Sequence, residues 1–183
     1  MDSTNLPQTG FLNPEKALVI TGLTHGMTVA DLGAGSGFYA IAAGKIVGPQ
    51  GQVYVVDILE PALEHLHSEA RVHGIRNIQT IRADLENSNA CDSIPEGKTD
   101  LVVVANVLHQ VQKKQNIFTH AYRLLKTGGK LLVIDWNDSL SPIGPEHGTR
   151  ISETEVKKLA EKSFKFADRI ATDKYHYGLM FTK

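Results

Sequence analysis

The chain reads as an α/β domain, a doubly wound and mostly parallel sheet with helices on both faces. Three observations predict it. Strand-like and helix-like segments alternate almost without interruption. The run Leu101-Val102-Val103-Val104-Ala105 lacks the polar alternation of a half-exposed strand, as suits a central parallel strand covered on both sides. Two C-terminal strand-like segments follow one another with no helix between them, so they pair antiparallel at one end of the sheet.

The elements follow in order. Residues 1–12 are polar, carry Pro7 and Gly10, and read as a loose arm. Residues 13–183 read as a single domain. Asn13-Pro14-Glu15 opens a helix, with Asn13 as cap and Pro14 at the first helical position; it should end near Gly22. Thr28 to Leu32 is a short buried strand, and Gly33-Ala34-Gly35-Ser36-Gly37 is a turn. A helix from Ser36 spaces Phe38, Ile41, Ala42 and Ile46 on one face and stops before Gly48-Pro49. Val53 to Asp57 is the second strand. A helix from about Pro61 to Gly74 follows, with Leu59, Leu63, Leu66 and Ala70 on one face. Ile78 to Ala83 is the third strand, and residues 86–98 form a loop or a poor helix. After the apolar run at 101–105, Ile117, Ala121, Leu124 and Leu125 mark a helix closed by Gly128-Gly129. Leu131 to Ile134 is the fifth strand, and Asn137 to Ile151 is a polar stretch. Ser152-Glu153-Thr154-Glu155 has the capping-box pattern and opens a helix through about Lys162. Phe164 to Ile170 and His176 to Thr182 are the last two strands.

Composition narrows the function classes. The 183 residues suit one ordinary domain, and 19 basic against 20 acidic residues give a net charge of −1. That balance argues against a nucleic-acid partner, which wants an excess of Lys and Arg. The longest apolar run, Phe38 to Ala43, has six residues against the roughly 20 of a membrane helix. No apolar signal core follows Met1, and the one cysteine, Cys91, builds neither an internal disulfide nor a multi-cysteine metal site. The expectation is a soluble cytoplasmic protein without a membrane partner. Composition leaves the oligomeric state open.

The chemistry should lie where the first strand meets its glycine turn, since ligands of such sheets bind at the carboxyl ends of the strands. Asp57 ends the second strand, 20 residues after Gly37, and can accept from ribose hydroxyls. Asp84 ends the third, 27 residues further on, and can accept from an adenine amino group. The plain alternative for either is a helix cap or a strand-end turn. A dinucleotide fingerprint runs G-x-G-x-x-G; here Phe38 stands at the third glycine's place. Asp31 just before the turn adds negative charge where a pyrophosphate would lie, and favours a ligand with an ammonium group.

With these residues in view, the chain resembles the class I S-adenosylmethionine-dependent methyltransferases. Val29 to Ala40 is similar to that family's first motif, Val55-Val56-Asp57-Ile58 to its second acidic strand end, and Arg82-Ala83-Asp84-Leu85 to its adenine-side motif. Asp100 to His109 and Leu124 to Leu131 resemble the fourth-strand motif and the helix–glycine–strand segment after it. The resemblance implies a Rossmann-like seven-stranded sheet of order 3-2-1-4-5-7-6 with strand 7 antiparallel. It implies S-adenosyl-L-methionine as cofactor. Gly33, Gly35 and Gly37 would line its methionine part, with Asp31 favouring its ammonium group. Asp57 would take the ribose hydroxyls, Ile58 would pack on the adenine, Asp84 with Leu85 beside it would meet the adenine amino group, and Asn106 would stand near the methionine end.

Methyl transfer is an in-line displacement, and the protein mainly aligns the partners. His109, three residues after Asn106, and His147 in the loop Pro142 to Arg150 are the candidate bases. Trp136, Arg150 and Tyr175 are the candidate substrate contacts. The remaining histidines, His25, His65, His67, His73 and His120, read as surface or capping groups. Asn106 stands where metal-dependent relatives of the catechol type use a carboxylate, so no metal is expected. The acceptor is expected to be a small molecule, with a protein as the alternative. Two other functions stay open at this stage: a catalytically silent cofactor-binding module and a nicotinamide-dependent oxidoreductase.

Overall fold

In the computed structural model, residues 13–141 and 143–183 are described. The arm expected at residues 1–12 lies outside them, as does Pro142 of the long loop. The strands are β1 (Thr28–Leu32), β2 (Gln52–Asp57), β3 (Ile78–Arg82), β4 (Thr99–Ala105), β5 (Leu125–Trp136), β6 (Lys165–Ile170) and β7 (His176–Thr182). The helices are α1 (Pro14–Ile20), α2 (Phe38–Val47), α3 (Glu60–Val72), α4 (Lys114–Leu124) and α5 (Glu153–Ala160). The strands form one sheet of order β3-β2-β1-β4-β5-β7-β6. β7 runs antiparallel to both neighbours, and the other adjacent pairs are parallel. This is the order the family resemblance implies.

Local signals explain most boundaries. The Asn13 side chain accepts from the Lys16 N–H at 3.1 Å and caps α1, and the Ser152 hydroxyl accepts from Glu155 N–H at 3.2 Å and caps α5. Leu59, expected on one face with Leu63, is instead exposed, because it stands just before α3 begins. One boundary differs from expectation. α4 ends at Leu124, before Gly128-Gly129, and β5 begins at once with Leu125 opposite Thr99. The glycine pair lies inside the strand because the C-terminal residue claims it: Gly128 donates to Lys183 O and Lys183 donates back to Gly129 O, both at 3.0 Å. That pairing across the sheet outweighs the local helix-stop signal.

The sheet buries both faces, as its apolar central strands require. One face packs Leu32, Val102, Val133, Tyr177 and Leu179 against α4 and α5. The other packs Val29, Val103, Leu132 and Ile134 against α1, α2 and α3. Side chains alternate along each strand. Asp31 and Trp136 therefore belong to the α2 face, and Asp135 to the α4 face. His176 sits opposite Trp136 and shares its face. The carboxyl ends of β1, β2, β3, β4 and β5 form one rim, and β7 starts on that rim.

His120 corrects the reading of the remaining histidines as surface or capping groups. It is buried, and its Nε2 bonds the carbonyls of Leu85 and Asn87 at 3.2 and 3.0 Å, tying α4 to the segment after β3. Burial pulls its basicity below the usual histidine range, the two carbonyls opposing. Among the described residues no helix is long and apolar enough to cross a membrane.

Candidate functional site

The turn after β1 is built so that backbone can touch a ligand. Gly33 donates to Val56 O at 2.7 Å, and Gly37 closes the turn onto Ala34 O at 2.8 Å. Gly37 has φ +78°, and a Cβ there would lie 2.4 Å from a Leu66 methyl, so only glycine lets α2 start against α3. Gly35 is the opposite case. It has φ +51°, and a Cβ there would meet no protein atom within 4 Å, because the residue faces an open cavity.

That cavity holds about 550 Å³ and runs along the rim. Such a volume is in the range of a small-molecule site, about 300–1,000 Å³. Gly33, Gly35, Asp57, Ile58, Asp84, Leu85 and Asn106 all line it, brought together from the ends of four strands. The Asp57 carboxylate accepts from Gly35 N–H at 2.8 Å with one oxygen and from Leu59 N–H at 2.9 Å with the other. Asp84 accepts from Glu86 N–H at 2.9 Å. Both carboxylates thus also serve as strand-end turns, the plain alternative for these positions. Each carboxylate oxygen has a second lone pair for a ligand.

Asp31 is not organised in that way. It is buried, and its Oδ2 has no hydrogen-bond partner. Burial first, then the charge of Asp57, pushes its carboxyl up to about 7, against a hydrogen bond from the Ala40 backbone. A buried orphan acceptor is costly unless something meets it. Tyr39 lines the cavity from the first turn of α2, and its buried hydroxyl also lacks a partner. Asn106 takes φ +59°, rare for a side-chain-bearing residue and typical of functional sites. Its N–H bonds Ile134 O at 2.8 Å, and its buried Oδ1 is unpartnered. An unpartnered carboxylate oxygen, an open glycine cradle and two acidic strand tips fit an ammonium group, an amino-acid chain and an adenosine. S-adenosyl-L-methionine carries all three.

The acceptor-side candidates fall differently. His109 is nearly buried, with Nδ1 3.0 Å from Asp135 Oδ1. Asp135 is fully buried and also accepts from the N–H groups of Leu108 and Trp136. A carboxylate only accepts, so Nδ1 carries the proton of this bond and Nε2 is left basic. His147 lies exposed on a 3₁₀ turn over His147–Thr149, and none of His109, Trp136, His147, Arg150 and Tyr175 is among the residues that line the cavity. Arg150 spends its donors on its own loop, on the carbonyls of Pro145, Asn137 and Ser139 at 3.1, 2.6 and 2.8 Å. Trp136 packs against the His176 ring at 4.2 Å and lies under the Arg150 guanidinium at 5.7 Å. Tyr175 stacks with Lys174 beside the start of β7. Sequence reasoning missed Tyr39 and Asp135 as an orienting partner. Helical spacing marks Tyr39 one turn after the glycines; no local spacing links His109 to Asp135, 26 residues apart. Among the described residues no cluster of three metal-ligating side chains occurs.

Comparison with known proteins agrees with this geometry. The profile of a family described as a methyltransferase domain matches residues 23–181. Over 121 residues the chain is 33% identical to a ubiquinone/menaquinone biosynthesis C-methyltransferase, UbiE, of Psychromonas ingrahamii, covering 66% of this chain and 47% of that protein. The chain spans about half the length of the curated relatives it matches. Among solved structures it is similar to a SAM dependent methyltransferase from Aquifex aeolicus, with TM-score 0.84, 27% identity, and 93% and 89% of the two chains covered. The fold also matches Aeropyrum pernix fibrillarin in complex with S-adenosyl-L-methionine, with TM-score 0.71, 22% identity, and 93% and 76% covered.

Proposed function

The chain belongs to the S-adenosylmethionine-dependent methyltransferases, and from that premise we propose that it methylates a ring carbon of a small hydroxylated acceptor. The bound cofactor supplies a methyl group already activated on a sulfonium. The observation that carries the finer reading is the Asp135–His109 pair at the end of β4 and β5, a base held in a fixed tautomer. A ring carbon that gains a methyl group must lose its proton, and this pair is built to take one. The identity with UbiE, named as a C-methyltransferase, supports the same acceptor class.

The roles proposed for the chain's own residues are these. Asp31 Oδ2 meets the cofactor ammonium, which fills its vacant acceptor capacity. The backbone at Gly33 and Gly35 leaves room for the amino-acid chain, while Gly37, which does not line the cavity, seats α2 against α3. Asp57 accepts from the ribose hydroxyls and Asp84 from the adenine amino group, with Ile58 and Leu85 beside the adenine. Asn106 closes the methionine end. Residues 13–183 act as one catalytic domain. His109 Nε2 receives the ring proton, and Asp135 stabilises the imidazolium that forms.

The test is transfer of a labelled methyl group from S-adenosyl-L-methionine to 1-naphthol, with the product analysed for C- or O-methylation. C-methylnaphthol is the expected product. A product methylated only on oxygen overturns the carbon assignment, and cofactor binding with no transfer points to a silent binding module.

A further inference from the structure

The segment between β4 and α4 is held at both ends by carboxylates from other strand tips. Near its start, Asp135 accepts from Leu108 N–H and holds the His109 ring. At its far end, Glu86, just past β3, accepts with Oε1 from Gln112 N–H at 2.5 Å and from Lys113 N–H at 3.3 Å. The rest of Glu86 is bonded as well. Its own N–H donates to the Asp84 carboxylate at 2.9 Å, and its carbonyl accepts from the Asn116 side-chain amide at 2.7 Å. His120 bonds the carbonyls on either side, those of Leu85 and Asn87.

Helix capping alone does not account for the Glu86 carboxylate. A capping side chain accepts from N–H groups inside the first turn of its helix. Glu86 accepts from Gln112 and Lys113, both of which precede the start of α4 at Lys114. A negative charge near a helix start is favourable, but it does not require those two partners. What the bonds do join is two of the chain segments that wall the cofactor cavity. Asp84, Leu85 and Glu86 belong to one, and Asn106, Val107, Gln110 and Val111 to the other. The second is irregular chain between a strand and a helix. Asn106 has φ +59°, and the Gln110 side chain folds back to donate to the Asn106 carbonyl at 2.8 Å. His109 stands in that same segment, next to Gln110.

We propose that Glu86 is a positioning residue whose carboxylate ties the 106–113 segment to the adenine-side turn, so that a cofactor held at Asp84 fixes the placement of His109. This rests on the reading above, with Asp84 as the adenine contact and His109 as the base. A ligand amino group on Asp84 stiffens the turn that Asp84 closes with Glu86 N–H. Glu86 passes that constraint to Gln112 and Lys113. The segment is anchored at its other end by Asp135, and only three residues lie between Leu108 and Gln112. Movement at Gln112 is therefore taken up at His109 and Gln110. Glu86 touches no reacting atom: it sets how tightly the base is held, and the proton transfer remains with His109.

The test follows amide hydrogen exchange and the His109 Nδ1–H proton resonance in the whole chain, with and without S-adenosylhomocysteine. At about ten times its Kd, the ligand is expected to slow exchange at Gln112 and Lys113 of the parent chain about tenfold and to shift the His109 resonance. In Glu86→Ala both amides should exchange about tenfold faster than in the parent. Its S-adenosylhomocysteine affinity should stay within about threefold, and the ligand should no longer move the His109 resonance. Glu86→Gln keeps an accepting oxygen and should restore the response. Support of α4 alone would leave the His109 response of Glu86→Ala as in the parent, and that result overturns the proposal. So does unchanged exchange at Gln112 and Lys113 in that variant. A parent chain that binds the ligand with no change at residues 107–113 overturns it without any variant having to fold. A larger loss of affinity in Glu86→Ala would make Glu86 a cofactor contact and overturns it too. Failure of the parent chain to bind S-adenosylhomocysteine overturns the earlier reading instead, and is read from a separate calorimetric titration.

Discussion

Two stretches of the strand-end rim handle their carboxylates in opposite ways. At the tips of β2 and β3, Asp57 and Asp84 are held by backbone N–H groups from Gly35, Leu59 and Glu86, all close by in the fold. At the tips of β5 and β7, Asp135 and Asp173 hold histidine rings, and each ring keeps a nitrogen for something else. The first arrangement is complete before a ligand arrives and suits an invariant partner. The second leaves one nitrogen of each ring without a carboxylate. On the proposed assignment, the cofactor half is set by backbone geometry and the acceptor half by pairs of side chains. Substitutions should separate them: changes at the first should cost cofactor binding, and changes at the second should cost rate or acceptor binding and leave cofactor binding alone.

The largest expected effect is at the acceptor end. His109→Ala should lower kcat for 1-naphthol methylation by about 10²–10⁴-fold while S-adenosylhomocysteine affinity stays within about twofold. Rapid-quench turnover and calorimetry on the same sample check both. A parallel loss of cofactor affinity would erase the contrast between the two ends. At the other end, Asp57→Ala should weaken S-adenosylhomocysteine binding by about 1.5–3 kcal/mol, the range for hydrogen bonds to a charged group. Calorimetry reads this directly, and an unchanged affinity would remove Asp57 from the site.

The legibility of the sequence follows the same division. The glycine turn and the spacing to Asp57 and Asp84 are local signals, because a tight turn and a strand end each leave a mark in a few consecutive residues. The acceptor end leaves none. Asp135 finds His109 only once β4 and β5 lie side by side, and His176 is assigned a face only by its register with Trp136. His120 was within reach: it falls at helical spacing with Ile117 and Leu124 on the inner face of α4, and a buried histidine there needs the carbonyls it finds. Gly128-Gly129 misleads because a helix-stop pair and a strand pairing with Lys183 look alike until the chain's last residue is placed.

Asp31 sits between the two cases, at the cofactor end but without a full set of partners, and pH sharpens its role. Its carboxyl ordinarily titrates at 3.8 and is raised by burial to about 7 in the folded chain. Between those values the folded chain holds one more proton than the unfolded chain. Stability of the free protein therefore falls as pH rises through that window and levels off above it. Asp31→Asn removes this dependence, so the variant should gain stability over the parent on going from pH 4 to pH 8, as urea unfolding would show. Cofactor binding runs the other way. An ammonium group favours the ionised carboxylate, so parent affinity for S-adenosylhomocysteine should climb from pH 5.5 to 7 with proton release. It should decline again only at the higher pH where the ligand's own amine loses its charge. The Asn variant should bind about tenfold more weakly at pH 7.5 and lack the rising limb. An identical rising limb in the variant would move the titration to another group.

The smallest expected effect tests whether the loop between β5 and α5 belongs to the acceptor end or only supports it. Arg150 bonds three carbonyls of its own loop and lies over Trp136, whose ring in turn packs on His176. Gly144 meets the same indole: a Cβ there would come within 2.7 Å of it. One side chain thus fixes the loop and, through it, the position of Trp136. Arg150→Ala releases carbonyls that water can reach, so the loss of global stability should be about 1 kcal/mol or less. Amide hydrogen exchange over residues 143–149 should accelerate. S-adenosylhomocysteine affinity should not change, because none of the loop's residues lines the cofactor cavity. The informative quantity is 1-naphthol affinity. If Arg150 acts only on the loop, that affinity falls by no more than a few-fold, and Arg150→Lys, which cannot reach three carbonyls at once, behaves like the alanine variant. A loss of about tenfold or more, rescued by lysine, would mean that the guanidinium touches the acceptor, and the division between a backbone-built end and an end of paired side chains would have to take in a free cation.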